Sequence, residues 1–217
     1  MTAETSTPRS RALTSTQKRG EARRREILDT STSLFSAGGF NSVSLADIAR
    51  EVGITQAGIL HYFPTKAALL LAVLQEREAR NVASREKYIA EGESPLAAYI
   101  KTLKENDQNP ELVQLFVILA AEATAVDHPG HEWFARRNES LVVSMTEMVS
   151  LTVDESKLPD GVTSTTIARW VLGLAHGLGA QWVLDTSAFD RAGQLDLFLK
   201  FIEPYLLDRP ADRSADR

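Results

Sequence analysis

The sequence predicts an all-α protein of about nine helices, on three observations. Apolar residues recur at helical spacing along most of the chain, helix-start signals (Ser, Thr or Asn before Pro or an acidic residue) fall between them, and nowhere do apolar and polar residues alternate for long. With 217 residues, 43% of them hydrophobic and 24% charged, the chain has ordinary globular composition and enough length for a substantial core.

Residues 1–17 are rich in Ser, Thr and Arg and nearly devoid of apolar side chains, so a flexible basic tail is expected there. From Lys18, the spacing of Ile27, Leu28, Leu34 and Phe35, with small Ser31 between them, predicts a first helix stopped by Gly38-Gly39. Ser44 and Asp47 form a capping-box signature; Ile48, Ala49 and Val52 give the short helix behind it a buried face, and Gly53 ends it. Thr55 then caps a second short helix over 56–63, stopped by Pro64. Two helices of about two turns each, joined by a glycine-containing turn, have the sequence form of a helix-turn-helix.

Thr65 caps a long helix over 66–91, with Ala67, Leu70, Leu71 and Leu74 on a common face. Ser94-Pro95 and Asn109-Pro110 open the next two helices, the second running to about Val126. Asp127-His128-Pro129-Gly130 interrupts the chain, 132–152 is helical again, and 154–161 reads as a polar loop. Two final helices are expected over 164–184 and 189–206, the latter with a box-like start at Ser187 and Asp190. The organisation that follows is a tail (1–17), a helix-turn-helix head (18–65) and a helical body (66–217).

Composition narrows the function classes. The chain has no cysteine, so disulfides, thiolate metal sites and a cysteine nucleophile are excluded. Apolar runs such as Leu115 to Ala121 are far short of the roughly 20 residues that cross a bilayer, and the polar N-terminus lacks an apolar signal core; a cytoplasmic protein is expected. The net charge of −5 conceals an asymmetry: residues 1–66 hold nine basic and six acidic residues, net +3, against −8 for residues 67–217. A basic head on an acidic body suggests that the head meets phosphates.

A helix-turn-helix reads DNA because its second helix fits the major groove and presents side chains to base edges. The run from Phe35-Ser36-Ala37-Gly38-Gly39-Phe40 through Ser44-Leu45-Ala46-Asp47-Ile48-Ala49, Val52-Gly53-Ile54 and His61-Tyr62-Phe63-Pro64-Thr65-Lys66 closely resembles the tetracycline-repressor (TetR) family of bacterial regulators, in order and without gaps over about residues 18–72. The resemblance implies that Gln56, Ala57, Gly58, His61 and Tyr62 face the groove, and that Ser44, Thr55 and Lys66 lie near phosphates. Gln56 suits adenine through paired hydrogen bonds, and Lys66 offers phosphate a point charge. Gly58 and Leu60 depart from the family's usual hydroxyl and tyrosine, removing two polar contacts. Arg23, Arg24 and Arg25 are either further phosphate contacts or a solvated helix face.

For the body the resemblance is architectural: a ligand-binding and dimerisation domain. The helix over 164–184 is apolar nearly all round, with a small-residue stripe at Gly173, Gly177 and Ala180 flanked by Trp170 and Trp182. With Leu195, Phe198 and Ile202 of the last helix, it is expected to form the homodimer interface; an intrachain core is the alternative. Candidate pocket liners are Phe116, Trp133, Phe134, Arg137, Met145 and His176, chosen as aromatic, flexible or polar groups near apolar faces. No cofactor is expected. His128 and His131 invite a metal reading, but no third ligand has suitable spacing, and a polar loop is the simpler account.

No phosphate loop or nucleophile elbow occurs, and Glu122 and Asp127 near His128, the best acid/base group available, read as surface residues, so an enzyme is not expected. The expected function is a ligand-responsive transcription regulator, a repressor by default, that binds a palindromic operator in double-stranded DNA as a dimer and is released by a small-molecule effector. A helical protein-interaction module without sequence-specific DNA binding is the alternative.

Overall fold

The structure, a computed structural model, describes residues 15–202 and 205. Most of the expected basic tail, residues 1–14, lies outside them, and helix is present from Ser15, three residues before its expected start. The described residues form nine α-helices and no strand: α1 (Ser15–Ser42), α2 (Leu45–Val52), α3 (Gln56–Tyr62), α4 (Lys66–Ala90), α5 (Pro95–Asn106), α6 (Pro110–Glu122), α7 (His131–Ser150), α8 (Ser164–Trp182) and α9 (Arg191–Phe201). A single 3₁₀ turn, Glu155–Lys157, lies in the polar loop before α8. No single helix among the described residues is long and apolar enough to cross a membrane.

Several boundaries differ from expectation for local reasons. Helix α1 does not stop at Gly38-Gly39; it bends at Gly39, whose φ of 75° and ψ of 176° lie outside the helical region, and resumes to Ser42. The buried face of α4 is Leu69, Leu70, Val73 and Leu74, while Ala67 and Leu71 are only half-buried, because α4 packs along both α1 and α5. Helix α6 ends at Glu122 rather than near Val126. Asp190 alone caps α9, accepting from Gly193 N; Ser187 is occupied by a turn in which its amide and hydroxyl donate to Asp185 at 2.9 and 2.7 Å.

Two apolar cores result. The first gathers Ile27, Leu28 and Phe35 of α1, Ile48 and Val52 of α2, Ile59 of α3, and the buried face of α4; it is completed by Leu115 and Leu119 of α6, both fully buried. The second packs Met145 and Val149 of α7, Ile167, Val171 and Ala175 of α8, and Leu195 of α9. Thus α6 is a body helix whose apolar edge belongs to the core of the head.

Candidate nucleic-acid interface and internal cavity

The two-helix element is built by short-range hydrogen bonds that its residue types dictate. Ser44 Oγ accepts from Asp47 N at 3.1 Å while Ser44 N donates to Asp47 Oδ2 at 3.1 Å, the reciprocal capping box. That box, chiefly the Ser44 hydroxyl, holds the Asp47 carboxyl down at about 2. Gly53 closes α2 in the left-handed conformation (φ 73°), with Gly53 N on Arg50 O and Ile54 N on Ala49 O, a Schellman closure open to glycine without strain. Thr55 then caps α3 by accepting from Gly58 N at 3.1 Å.

Fully buried Ile59 pins α3 to the core, which leaves Gln56, Ala57, Leu60 and His61 exposed along its outer side. Tyr62 is half-buried, with its ring edge-on to His61 at 5.2 Å, and Phe63 is core. Gly58 is not required by crowding: a Cβ there meets Ile54 and Thr55 only at 3.5 Å, ordinary contact. Ser44 and Thr55 are exposed at the two caps. Lys66 is more constrained than a free point charge, since its Nζ lies 4.2 Å over the Phe40 ring and partial burial lowers its pKa. Of the three arginines, Arg23 pairs with Glu26 at 2.8 Å, Arg24 covers the Phe63 ring at 5.1 Å, and Arg25 is exposed.

The body holds a half-open cavity of about 470 Å³ between α4, α5, α6, α7 and α8, with Arg191 of α9 at its wall. Phe116, Phe134, Arg137 and His176 line it, four of the six expected residues. Trp133 and Met145 line instead a neighbouring cleft of about 500 Å³ on the other side of Arg137 and Tyr99, which border both spaces. Among the lining residues of the first cavity that were not expected, three are cationic: Arg77, Arg85 and Arg191. Arg137 donates to Glu78 at 2.6 Å, Arg85 meets the same carboxylate at 3.4 Å, and Arg191 pairs with Asp107 at 2.5 Å. Arg77 has no carboxylate within ion-pair distance among the described residues; it stacks over Phe116 at 4.6 Å, and burial, then Arg137, pulls its pKa down to about 9. The signal available in the sequence was spacing: Arg77 falls one helical turn past Val73 and Leu74 on the inward side of α4.

Placement corrects two further expectations. Trp170, Gly173, Gly177 and Ala180 form an exposed stripe on α8, but Leu195 and Ile202 are buried in the chain's own core and Phe198 packs against it; the uncovered apolar residues of α9 are Leu197 and Phe201. Asp127 is exposed as expected, but Glu122 is half-buried and accepts from Phe40 N at 2.8 Å, and His128, 8% exposed, accepts from Gly130 N at 3.1 Å. His131 Nδ1 sits 2.9 Å from Ala123 O, so the two histidines are engaged separately, and no cluster of three metal-binding side chains occurs among the described residues.

Two short helices joined by a left-handed glycine turn, the outer side of the second exposed, make a helix-turn-helix head on a helical body that holds a cavity. Residues 27–73 match the model of bacterial regulatory proteins of the tetR family. The uncharacterized HTH-type transcriptional regulator YuxN of Bacillus subtilis is 36% identical over 77 residues, 36% of this chain but only 26% of that relative's own length. The HTH-type transcriptional repressor Rv1474c of Mycobacterium tuberculosis is 27% identical over 81% of this chain and 90% of its own. The fold is shared with the transcriptional regulator FadR of Bacillus subtilis solved with stearoyl-CoA (TM-score 0.68, 14% identity, 82% of this chain and 96% of that one). The likeness to the tetR family of bacterial regulatory proteins is thus carried by residues 27–73.

Proposed function

We propose that this protein is a ligand-responsive transcription regulator that binds a palindromic operator as a homodimer and represses until a small molecule occupies its body. The observation that carries the reading is the outer side of α3, where Gln56, Ala57 and His61 stand exposed while Ile59 holds the helix rigidly in place. In this reading Gln56, Ala57, Gly58, His61 and Tyr62 face the groove, and Ser44, Thr55 and Lys66 approach the flanking phosphates. Two heads reach successive major grooves, about 34–36 Å apart, only when two chains pair. The uncovered stripe of Trp170, Gly173, Gly177 and Ala180 with Leu197 and Phe201 is the pairing face. The family's membership of regulators, and a fold neighbour solved with an acyl-CoA, support a sensing role for the cavity over an enzymatic one. The tail 1–17, the head 18–65 and the body 66–217 are then the working divisions, in a protein that acts in the cytoplasm.

Titration of fluorescent DNA from immediately upstream of its gene, near physiological salt with excess nonspecific competitor, tests the reading. Nanomolar binding that resists competitor supports it, whereas a chain that binds only weakly and loses all DNA to competitor is an interaction module instead.

A further inference from the structure

We propose that the cavity behind Phe116 takes an organic anion with a flat apolar body, its acidic headgroup held by Arg77 with Arg137 and Arg191 beside it. This deepens the regulator reading by giving the class of molecule that the body senses, and its consequence at DNA rests on that reading.

The charge inventory is the first argument. Four arginines line the cavity, yet only two carboxylates, Glu78 and Asp107, form ion pairs with them. Glu78 is shared by Arg85 and Arg137 and Asp107 serves Arg191, which leaves Arg77 without an ion-pair partner among the described residues. Arg77 is only partly exposed, with its Nε sealed, and a charge left there without a partner is costly, so a chain that needed only bulk at this position would be better served by Met or Leu.

Geometry is the second. The guanidinium carbons of Arg77 and Arg137 lie 4.6 and 4.7 Å from the centroid of the same ring, Phe116, so two like charges flank one ring in the cavity wall. The Nε atoms of Arg77 and Arg191 are sealed from solvent with no hydrogen-bond partner. Guanidiniums that line a cavity, one of them without a carboxylate, fit an oxyanion, and the aromatic wall of Phe116 and Phe134 fits a flat apolar body. The remaining wall is largely apolar, with Val113, Val117, Phe134 and Ala175. A volume of about 470 Å³ falls in the ordinary range for small-molecule sites. A quaternary ammonium or other cation would meet the uncompensated guanidiniums and be repelled.

The test uses two dyes that differ by one acidic group, 1-anilinonaphthalene-8-sulfonate and N-phenyl-1-naphthylamine, titrated into the full chain. The sulfonate is expected to bind saturably and at least tenfold more tightly than its uncharged counterpart. Arg77→Met is expected to weaken the sulfonate at least tenfold and leave the uncharged dye unchanged. The same variant should melt no lower than wild type without ligand, because the isolated buried charge is gone. Arg136→Gln, on the solvent side of α7, should change neither affinity. Equal binding of the two dyes, no binding of the sulfonate, or undiminished sulfonate binding by Arg77→Met overturns the assignment. Operator binding measured on the same preparation separates the two claims. Specific DNA binding without anion selectivity overturns the inference and spares the regulator, and anion selectivity without specific DNA binding does the reverse.

Discussion

Glu122, the last residue of α6, accepts the backbone N–H of Phe40 at 2.8 Å and so fastens the body to the bend in α1. Gly39 makes room for it, since a Cβ at that position would stand 2.5 Å from Glu122 Oε1. Around this joint, Lys66 covers the Phe40 ring from the start of α4 and His128 meets it edge-on at 5.2 Å. Two turns earlier on the same helix, Phe116 lies in the cavity wall, and Leu115 and Leu119 fill the head's core. One helix therefore touches both the cavity and the mount of the two-helix element, and under the proposed function this is the physical route for coupling.

That joint yields a double-mutant prediction. Glu122→Ala leaves the Phe40 amide unpaired and should cost about 1–3 kcal/mol in urea unfolding. Gly39→Ala forces a side chain into a φ of 75° and against Glu122, and should cost at least as much. In the double variant the steric clash is gone but the backbone strain remains, so the combined loss should be smaller than the sum of the two. Strictly additive losses would mean that the two residues do not act on each other.

Groove and phosphate contacts should separate by their readouts. Gln56→Ala is expected to relax preference at one base pair by about 1–3 kcal/mol with little change in salt dependence. Lys66→Met should weaken all DNA and flatten the salt slope. Gly58→Ser, whose Cβ would meet Ile54 and Thr55 only at ordinary contact distance, should tighten DNA binding by restoring a hydroxyl and firm the helix by a few tenths of a kcal/mol. Anisotropy titrations at several salt concentrations check all three.

His128 predicts a pH dependence. Burial lowers its pKa below the ordinary 6.5, against the opposing pull of Glu122 and Asp127, and its Nδ1 must stay unprotonated to accept from Gly130 N. A histidine whose folded pKa is depressed adds stability above the unfolded value and loses it as pH falls through the folded one. The urea midpoint should thus hold above about pH 6.5 and decline below it. His128→Gln, which accepts without titrating, should flatten part of that decline; the part left belongs to His176, whose pKa burial and Arg137 also lower.

The exposed stripe on α8, the proposed pairing face, gives a substitution that the monomer should tolerate. Gly173 and Gly177 have nothing within 4 Å of an added Cβ. Gly177→Leu should therefore fold normally, gaining up to about 1 kcal/mol of helix propensity, yet block close approach of a second chain. Sedimentation should show the variant dissociating at concentrations where wild type remains dimeric, with operator binding weakened in parallel.

The local chemistry was legible in the sequence because each signal is a short-range one. The Ser44 capping box, the Gly53 closure, the Thr55 cap and the α5 and α6 starts at proline all stand where their residue types require. Long-range relations were not. Nothing near Gly39 says that Glu122 will stand against it, so a glycine read as a stop is a bend. Leu195 and Ile202 read as spare apolar surface because only the packing of α9 on α5 and α8 shows them already covered. Arg77 was passed over because an arginine in a long helix is usually solvated, and only the tertiary fold shows it without a carboxylate.

Selection of bound sequences from random DNA duplexes with the purified protein, followed by the same selection with Gln56→Ala, tests the central claim most directly. The account predicts enrichment of one palindrome whose half-sites centre about one helical turn apart, with the preference relaxed in the variant. A pool that stays random under wild type, or a motif that Gln56→Ala leaves untouched, would contradict a sequence-reading role for α3.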